Sequence, residues 1–163
     1  MSLTSLPMNP PALGRDSLWQ HCRNSLSIAR LLHHDGRPAV LVGTACELAV
    51  ESACRAALAQ AGLFYDGDVR RGLSRLAAPR DLWELFPATS GGERLAAAER
   101  AVGWIAGYLR WMQMKAETEM ALGPKFDRRR YHDFILAQGL LPPALIGRAL
   151  RAQFVPGEKS RAD

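Results

Sequence analysis

The chain has 163 residues, 48% apolar and 23% charged, an ordinary globular composition with length enough for one domain and a real hydrophobic core. Its formal charge of +5 comes almost wholly from arginine, since lysine occurs only at Lys115, Lys125 and Lys159. No apolar run approaches the roughly 18 residues of a membrane span, the N-terminus lacks a basic signal-peptide region, and Cys22, Cys46 and Cys54 form no CxxC pair, which points to reduced thiols in a cytoplasmic protein.

Residues 1–14 carry Pro7, Pro10 and Pro11 with little charge and read as an extended arm. A first helix is expected from Asp16 to His33, because Leu18, Cys22, Ser25, Leu26, Ala29 and Leu32 recur at three- and four-residue steps. Gly36 then suits a left-handed cap. Pro38 opens a second helix, which reaches Ala61 and stops at Gly62. Its stripe of Ala39, Val42, Ala45, Cys46, Ala49, Ala53, Ala56 and Ala57 is built of small residues, so a neighbour can approach closely and this helix should be the most buried. Glu51 and Arg55 stand one turn apart on its surface.

Asp66 or Asp68 caps a short helix through Leu76. Residues 79–87 read as one or two turns between prolines, with Leu82, Trp83, Leu85 and Phe86 plugging the side of the bundle. Ser90 and Glu93 have the spacing of a capping box. The long helix that follows should run to Leu122 with Leu95, Ala98, Val102, Ile105, Leu109, Met112, Ala116 and Met120 inward, and Gly123-Pro124 ends it. Asp127 caps a helix through Gln138, Gly139 closes it, and Pro142-Pro143 opens a last helix to about Phe154, leaving 155–163 as a frayed tail. With Ala and Leu abundant and β-branched residues few, the whole reads as an all-α bundle of five or six antiparallel helices spanning 15–154.

Two stretches resemble known families. Ser27-Ile-Ala-Arg-Leu-Leu, Gly36, Ala45-Cys-Glu-Leu-Ala-Val-Glu-Ser-Ala-Cys-Arg-Ala-Ala-Leu and Gly62 resemble the HEPN group of helical domains over about 25–111. That resemblance implies a bundle, often dimeric, that binds a nucleotide or nucleic acid. HEPN nucleases carry Arg, four to six residues, then His; Arg15 and His21 have this spacing on the first helix, so the resemblance also implies, as a further alternative, a HEPN-type RNase using these two, whereas Arg128 and His132 are too close. The second resemblance is sharper. Over about 104–152, Leu122-Gly-Pro-Lys-Phe-Asp-Arg-Arg-Arg-Tyr-His-Asp-Phe-Ile-Leu-Ala-Gln-Gly-Leu-Leu-Pro is similar to the carboxy-terminal end of the bacterial Domain of Unknown Function 885 (DUF885). Phe126, Asp127, His132, Asp133, Leu136, Gly139 and Pro142 match, and Tyr131 replaces a phenylalanine. This family resembles zinc peptidases. Its His-Glu-x-x-x-Gly-His element does not occur in the chain, so the resemblance implies an accessory or remnant part of such an enzyme.

Among candidate site residues, Arg128 and His132 share a helix face, and with Arg130 they offer an anion site for a phosphate or carboxylate; the alternative is a buried structural histidine beside solvated arginines. Trp104, Tyr108 and Trp111 form an aromatic stripe that suits a stacked ligand, the core or a second subunit. Acid–base chemistry needs paired carboxylates in a common pocket, and nothing in the sequence forces Glu93, Glu99, Glu117 and Glu119 into one. Metal-ligand spacing, a phosphate-binding loop and a Gly-x-Ser-x-Gly elbow are all missing from the sequence. The expectation is a non-catalytic, HEPN-like binding module without cofactor or metal, meeting a second copy of itself, a nucleotide, nucleic acid or partner protein and no membrane.

Overall fold

The computed structural model describes residues 14–79, Leu82 and residues 90–160, with the side chain of Arg15 excepted. The expected arm at 1–14 (but for Gly14), the plug at Trp83, Leu85 and Phe86, and the tail beyond Ser160 lie outside the described residues. Among those described, every regular element is helical, so the fold is all-α: α1 (Arg15–His34), α2 (Ala39–Gln60), α3 (Val69–Arg75), α4 (Gly91–Leu122), a 3-10 turn (Gly123–Lys125), α5 (Arg128–Ala137), α6 (Pro143–Ala149), a π turn (Leu150–Phe154) and α7 (Val155–Ser160). The chain divides into two compact units, Met1–Ile105 and Ala106–Asp163.

In the first unit α1 and α2 form an antiparallel hairpin. Asp35 caps α1, and Gly36, at φ +64°, turns the chain through a conformation that a side chain would strain. The predicted stripes face the core: Leu18, Cys22, Ser25, Leu26 and Ala29 are buried on α1, and twelve residues of α2 are buried, from Val42 to Leu58. Full burial of Val42, Val50 or Leu58 contributes about 1.5–3 kcal/mol each by area. The small residues of α2 permit close approach. An added Cβ on Gly43 would collide with the Arg94 guanidinium of α4, so this glycine makes the notch in which Arg94 lies. Arg30 of α1 also reaches Glu99 of α4 at 2.8 Å.

Two predicted caps are present. The Arg71 N–H donates to Asp68 Oδ1 (3.1 Å) at the start of α3. At the start of α4, the Glu93 N–H donates to Ser90 Oγ (3.2 Å) while the Ser90 N–H donates to Glu93 Oε2 (3.3 Å), a reciprocal capping box.

The second unit has its own core of Met114, Leu122, Tyr131, Ile146, Leu150 and Phe154, with Trp111, Phe126, Phe134, Ile135 and Val155 packed against it. Here the expected stripe of α4 fails. Ala116 and Met120 are exposed, and the buried positions are Met114, Thr118 and Leu122. The step from Leu109 to Met114 is five residues, whereas one helix face continues in threes and fours. The polar Thr118 is tolerated inside because its hydroxyl donates to the Met114 carbonyl at 2.8 Å.

The last helix also differs from expectation. Residues 155–160 are helical, joined to α6 through the π turn. Pro156 has no N–H for a regular helical bond and its ring crowds the preceding turn; the wider turn lies immediately before it and lets the helix continue.

Candidate functional site

The site is built around α5. Asp127 Oδ1 accepts the N–H groups of Arg129 (2.8 Å) and Arg130 (3.1 Å), which fixes where the helix starts. Tyr131 then points into the core, with Phe134 and Ile135 packed beside it. That anchoring sorts the three consecutive arginines by helix geometry, at about 100° per residue.

Arg128 and His132 fall on the solvent side, one turn apart and both exposed. Leu136, 76% exposed, continues the same row. His132 is therefore not a buried histidine; its ring stands T-shaped to that of Tyr131, with centroids 5.6 Å apart. Arg129 is almost fully solvated, and among the described residues its guanidinium makes only a 4.0 Å approach to Asp133. Arg130 turns the other way. Its Nη1 donates to Glu158 Oε2 of α7 at 3.0 Å. The structure thus brings Arg128 and His132 together and places Arg130 apart from them, beside an internal carboxylate.

Arg130 and Glu158 border an open cleft of about 340 Å³, whose other walls include Asp133, Gln153, Phe134 and Phe154. The two phenyl rings lie 5.2 Å apart, centroid to centroid, and tilted. Sequence reasoning missed Glu158, Gln153 and Phe154 as site residues. They lie far along the chain from α5, and the Pro156-Gly157 dipeptide disguises the helix that carries Glu158.

Charge is unevenly spread. Residues 106–163 hold ten Lys and Arg against six Asp and Glu, a formal +4, and the other 105 residues hold eleven against ten, +1. The surplus that marks the chain as basic belongs to the stretch carrying α5.

The aromatic stripe is not one exposed platform. Trp104, Tyr108 and Trp111 are each half-buried, and Trp111 packs on the second unit's core. Glu117 pairs with Arg151 (3.6 Å) and Glu119 with Lys115 (3.3 Å), so neither carboxylate is held for proton transfer. His21 places Nδ1 3.1 Å from Ser52 Oγ, and that hydroxyl donates to the Leu48 carbonyl at 2.8 Å. This links α1 to α2, with Ser52 itself buried. The partner that the nuclease spacing requires, the Arg15 side chain, lies outside the described residues.

The first unit has a further open cleft, of about 700 Å³, lined in part by Glu47, Glu51, Tyr65 and Asp68. Asp66 there pairs with Arg71 (3.3 Å) and Arg75 (3.6 Å). The backbone N–H of Arg71 holds the Asp68 carboxyl below its ordinary range. Burial raises the Cys22 and Cys46 thiols to about 11 and the Cys54 thiol to about 12, the reverse of what a nucleophilic cysteine needs. Among the described residues no group of His, Cys, Asp and Glu is placed to hold a metal ion, and no helix is long and apolar enough to cross a membrane.

Residues 95–150 match the family described as "Bacterial protein of unknown function (DUF885)", a stretch that contains α5 and covers about a third of the chain. The match agrees with the carboxy-terminal resemblance and includes the Arg128–His132 row; nothing comparable supports the HEPN resemblance. No curated protein and no solved structure matches the chain significantly. The chain is similar to DUF885 over a segment that includes α5 and stops short of Gln153, Phe154 and Glu158.

Proposed function

We propose that the chain is a non-catalytic helical binding module whose Arg128–His132–Leu136 row docks an anionic group on a partner. The observation that carries this reading is the geometry of α5: Arg128 and His132 stand one turn apart, both exposed, on the segment where the positive surplus lies. Arg128 has no ion-pair partner among the described residues, so an incoming phosphate or carboxylate need not displace one. Leu136 gives the same row an apolar end, which suits a macromolecular partner better than a bare ion. A HEPN-like module would meet a nucleotide or nucleic acid here, either alone or as a homodimer; an acidic protein segment satisfies the same chemistry.

The test is binding of a labelled single-stranded oligonucleotide and a labelled acidic peptide, each across a salt series. Arg128→Ala should weaken the preferred ligand and lower the salt slope by about one contact. Unchanged binding and slope would sink the reading.

A second reading is favoured by the family match: the chain serves as an accessory or remnant part of a DUF885-like protein. It predicts stable association with a larger polypeptide that brings its own zinc-binding element. Zinc content and peptidase activity, measured for the chain alone and mixed with such a protein, separate the two. Zinc-dependent activity of the chain alone contradicts both readings.

A further inference from the structure

We infer that the cleft between α5 and the α6–α7 stretch is a second binding site, which takes a carboxylate carried on an aromatic or similarly flat apolar group. Arg130 is the ionic contact, and Phe134, backed by the core ring of Phe154, forms the apolar surface. The site is separate from the Arg128–His132 row, because Arg130 follows Arg128 by two residues, about 200° around the helix. Either site can fail without the other.

Four observations converge on this ligand. Glu158 holds the Arg130 guanidinium through one nitrogen, Nη1; among the described residues Nε and Nη2 have no hydrogen-bond partner, although the side chain lines the cleft and is only 42% exposed. A planar fork fixed at one corner is arranged to meet a carboxylate with its remaining N–H groups. Phe134, half-buried and tilted against the core ring of Phe154, supplies the ring against which a third ring can pack. The volume of about 340 Å³ falls in the small-ligand range, roughly 300–1,000 Å³. Lastly, Gln153 and Phe154 come from the π turn, and single π turns within helices recur at functional sites.

Charge selects among anions. The lining sets one arginine against two carboxylates, so an anion is attracted through the remaining Arg130 N–H groups and not by net charge. Asp133 and Glu158 also line the cleft, and they penalise a phosphate, at about −1.5 to −2, more than a singly charged carboxylate. Gln153 can donate its amide to the carboxylate, and Asp133 can accept an N–H from a neighbouring amide or amine. Two sources fit: a small aromatic acid, and the carboxy terminus of a polypeptide that ends in an aromatic residue.

The experiment titrates isotope-labelled full-length protein with hydrocinnamate, with its amide hydrocinnamamide, and with a short peptide ending in phenylalanine as free acid or amide. The acid should give saturable shifts at the Gln153 side-chain amide and the Gly157 backbone amide, and the amide should bind roughly tenfold or more weakly. Arg130→Gln should reproduce that loss; the acid–amide comparison on the native chain decides the matter if the variant fails to fold. Tighter binding of the free-acid peptide than of hydrocinnamate identifies a polypeptide terminus, and weaker or equal binding identifies a small acid. Equal binding of acid and amide overturns the proposal. So does the absence of saturable shifts at about 10 mM acid, where a ligand of this size should bind.

Discussion

Arg130 Nη1 lies 3.0 Å from Glu158 Oε2, tying α5 to α7 across 28 residues of chain. The two sides of the pair are unlike: the Glu158 side chain is 10% exposed and that of Arg130 is 42% exposed. Arg130 rehydrates more readily than the deeply placed Glu158 carboxylate if the pair is broken. Arg130→Gln should therefore cost more than Glu158→Gln, with both within about 1 kcal/mol because the arginine is partly solvated. Urea unfolding of both variants measures this, and equal costs would show that Glu158 is better solvated than its burial indicates.

Tyr131 departs from the phenylalanine of the DUF885-like pattern, and the departure has a physical consequence. The ring is 2% exposed, its hydroxyl has no hydrogen-bond partner among the described residues, and burial, with a smaller effect from Glu119, raises it to about 12. An unpaired buried hydroxyl costs about 1–3 kcal/mol. Tyr131→Phe keeps the packing against Phe126 and Phe154 and removes that cost. The variant should be as stable as the natural chain or up to about 1 kcal/mol more stable at neutral pH. The pH dependence has a definite sign. Below pH 10 the phenol is protonated in both states; between 10 and about 12 only the unfolded chain ionises, so stability falls as pH rises. Tyr131→Phe should flatten that fall, and a variant less stable than the natural chain at pH 8 would indicate an undetected partner for the hydroxyl.

Much of the first unit was legible because its signals are local. The apolar steps on α1 and α2, the glycine at Gly36 and the Ser90–Glu93 box each work within a few residues, and each appears where its pattern predicts. Legibility ended where a local signal had two continuations. After Leu109 the apolar series runs on through Met112, Ala116 and Met120, yet the buried face is Met114, Thr118 and Leu122. Thr118 hid that choice, because nothing in the sequence shows that its hydroxyl is satisfied by the turn before it. Pro156-Gly157 reads as a helix end, but the π turn carries the helix past it. The candidate site was half legible for the same reason. Arg128 and His132 are one turn apart and visible as a pair, whereas Glu158 meets Arg130 only through tertiary packing.

The end of α3 offers a backbone test. Ala77 has φ +55°, the left-handed conformation that costs a residue with a Cβ roughly 1–2 kcal/mol. It is held there by the helix-terminating bonds from the Ala77 N–H to the Ser74 carbonyl and from the Ala78 N–H to the Leu73 carbonyl. Glycine adopts this conformation without strain but loses more entropy on folding. The balance favours Ala77→Gly by about 0.5–1 kcal/mol. A lower thermal midpoint for the variant would mean that the Ala77 methyl makes contacts that outweigh the strain.

Finally, the three thiols should be silent at neutral pH and become a liability in alkali. Cys22 and Cys54 are fully buried and Cys46 nearly so, and burial raises all three from 9.0, to about 11 for Cys22 and Cys46 and about 12 for Cys54. Below pH 9 every thiol is neutral in both states, and the stability associated with burying it is intact. Above pH 9 the unfolded chain ionises first, so stability falls until the native thiols also titrate, near 11 to 12. A disulfide-exchange reagent at pH 8 should therefore label none of the three in the native protein and all three in urea. Urea midpoints measured from pH 8 to 10.5 should decline, and Cys54→Ala should decline less steeply than the natural chain even though it starts lower because of the lost packing. Rapid native labelling at pH 8, at a rate near that of the unfolded chain, would mean that the α1–α2 hairpin opens far more readily than its packing implies.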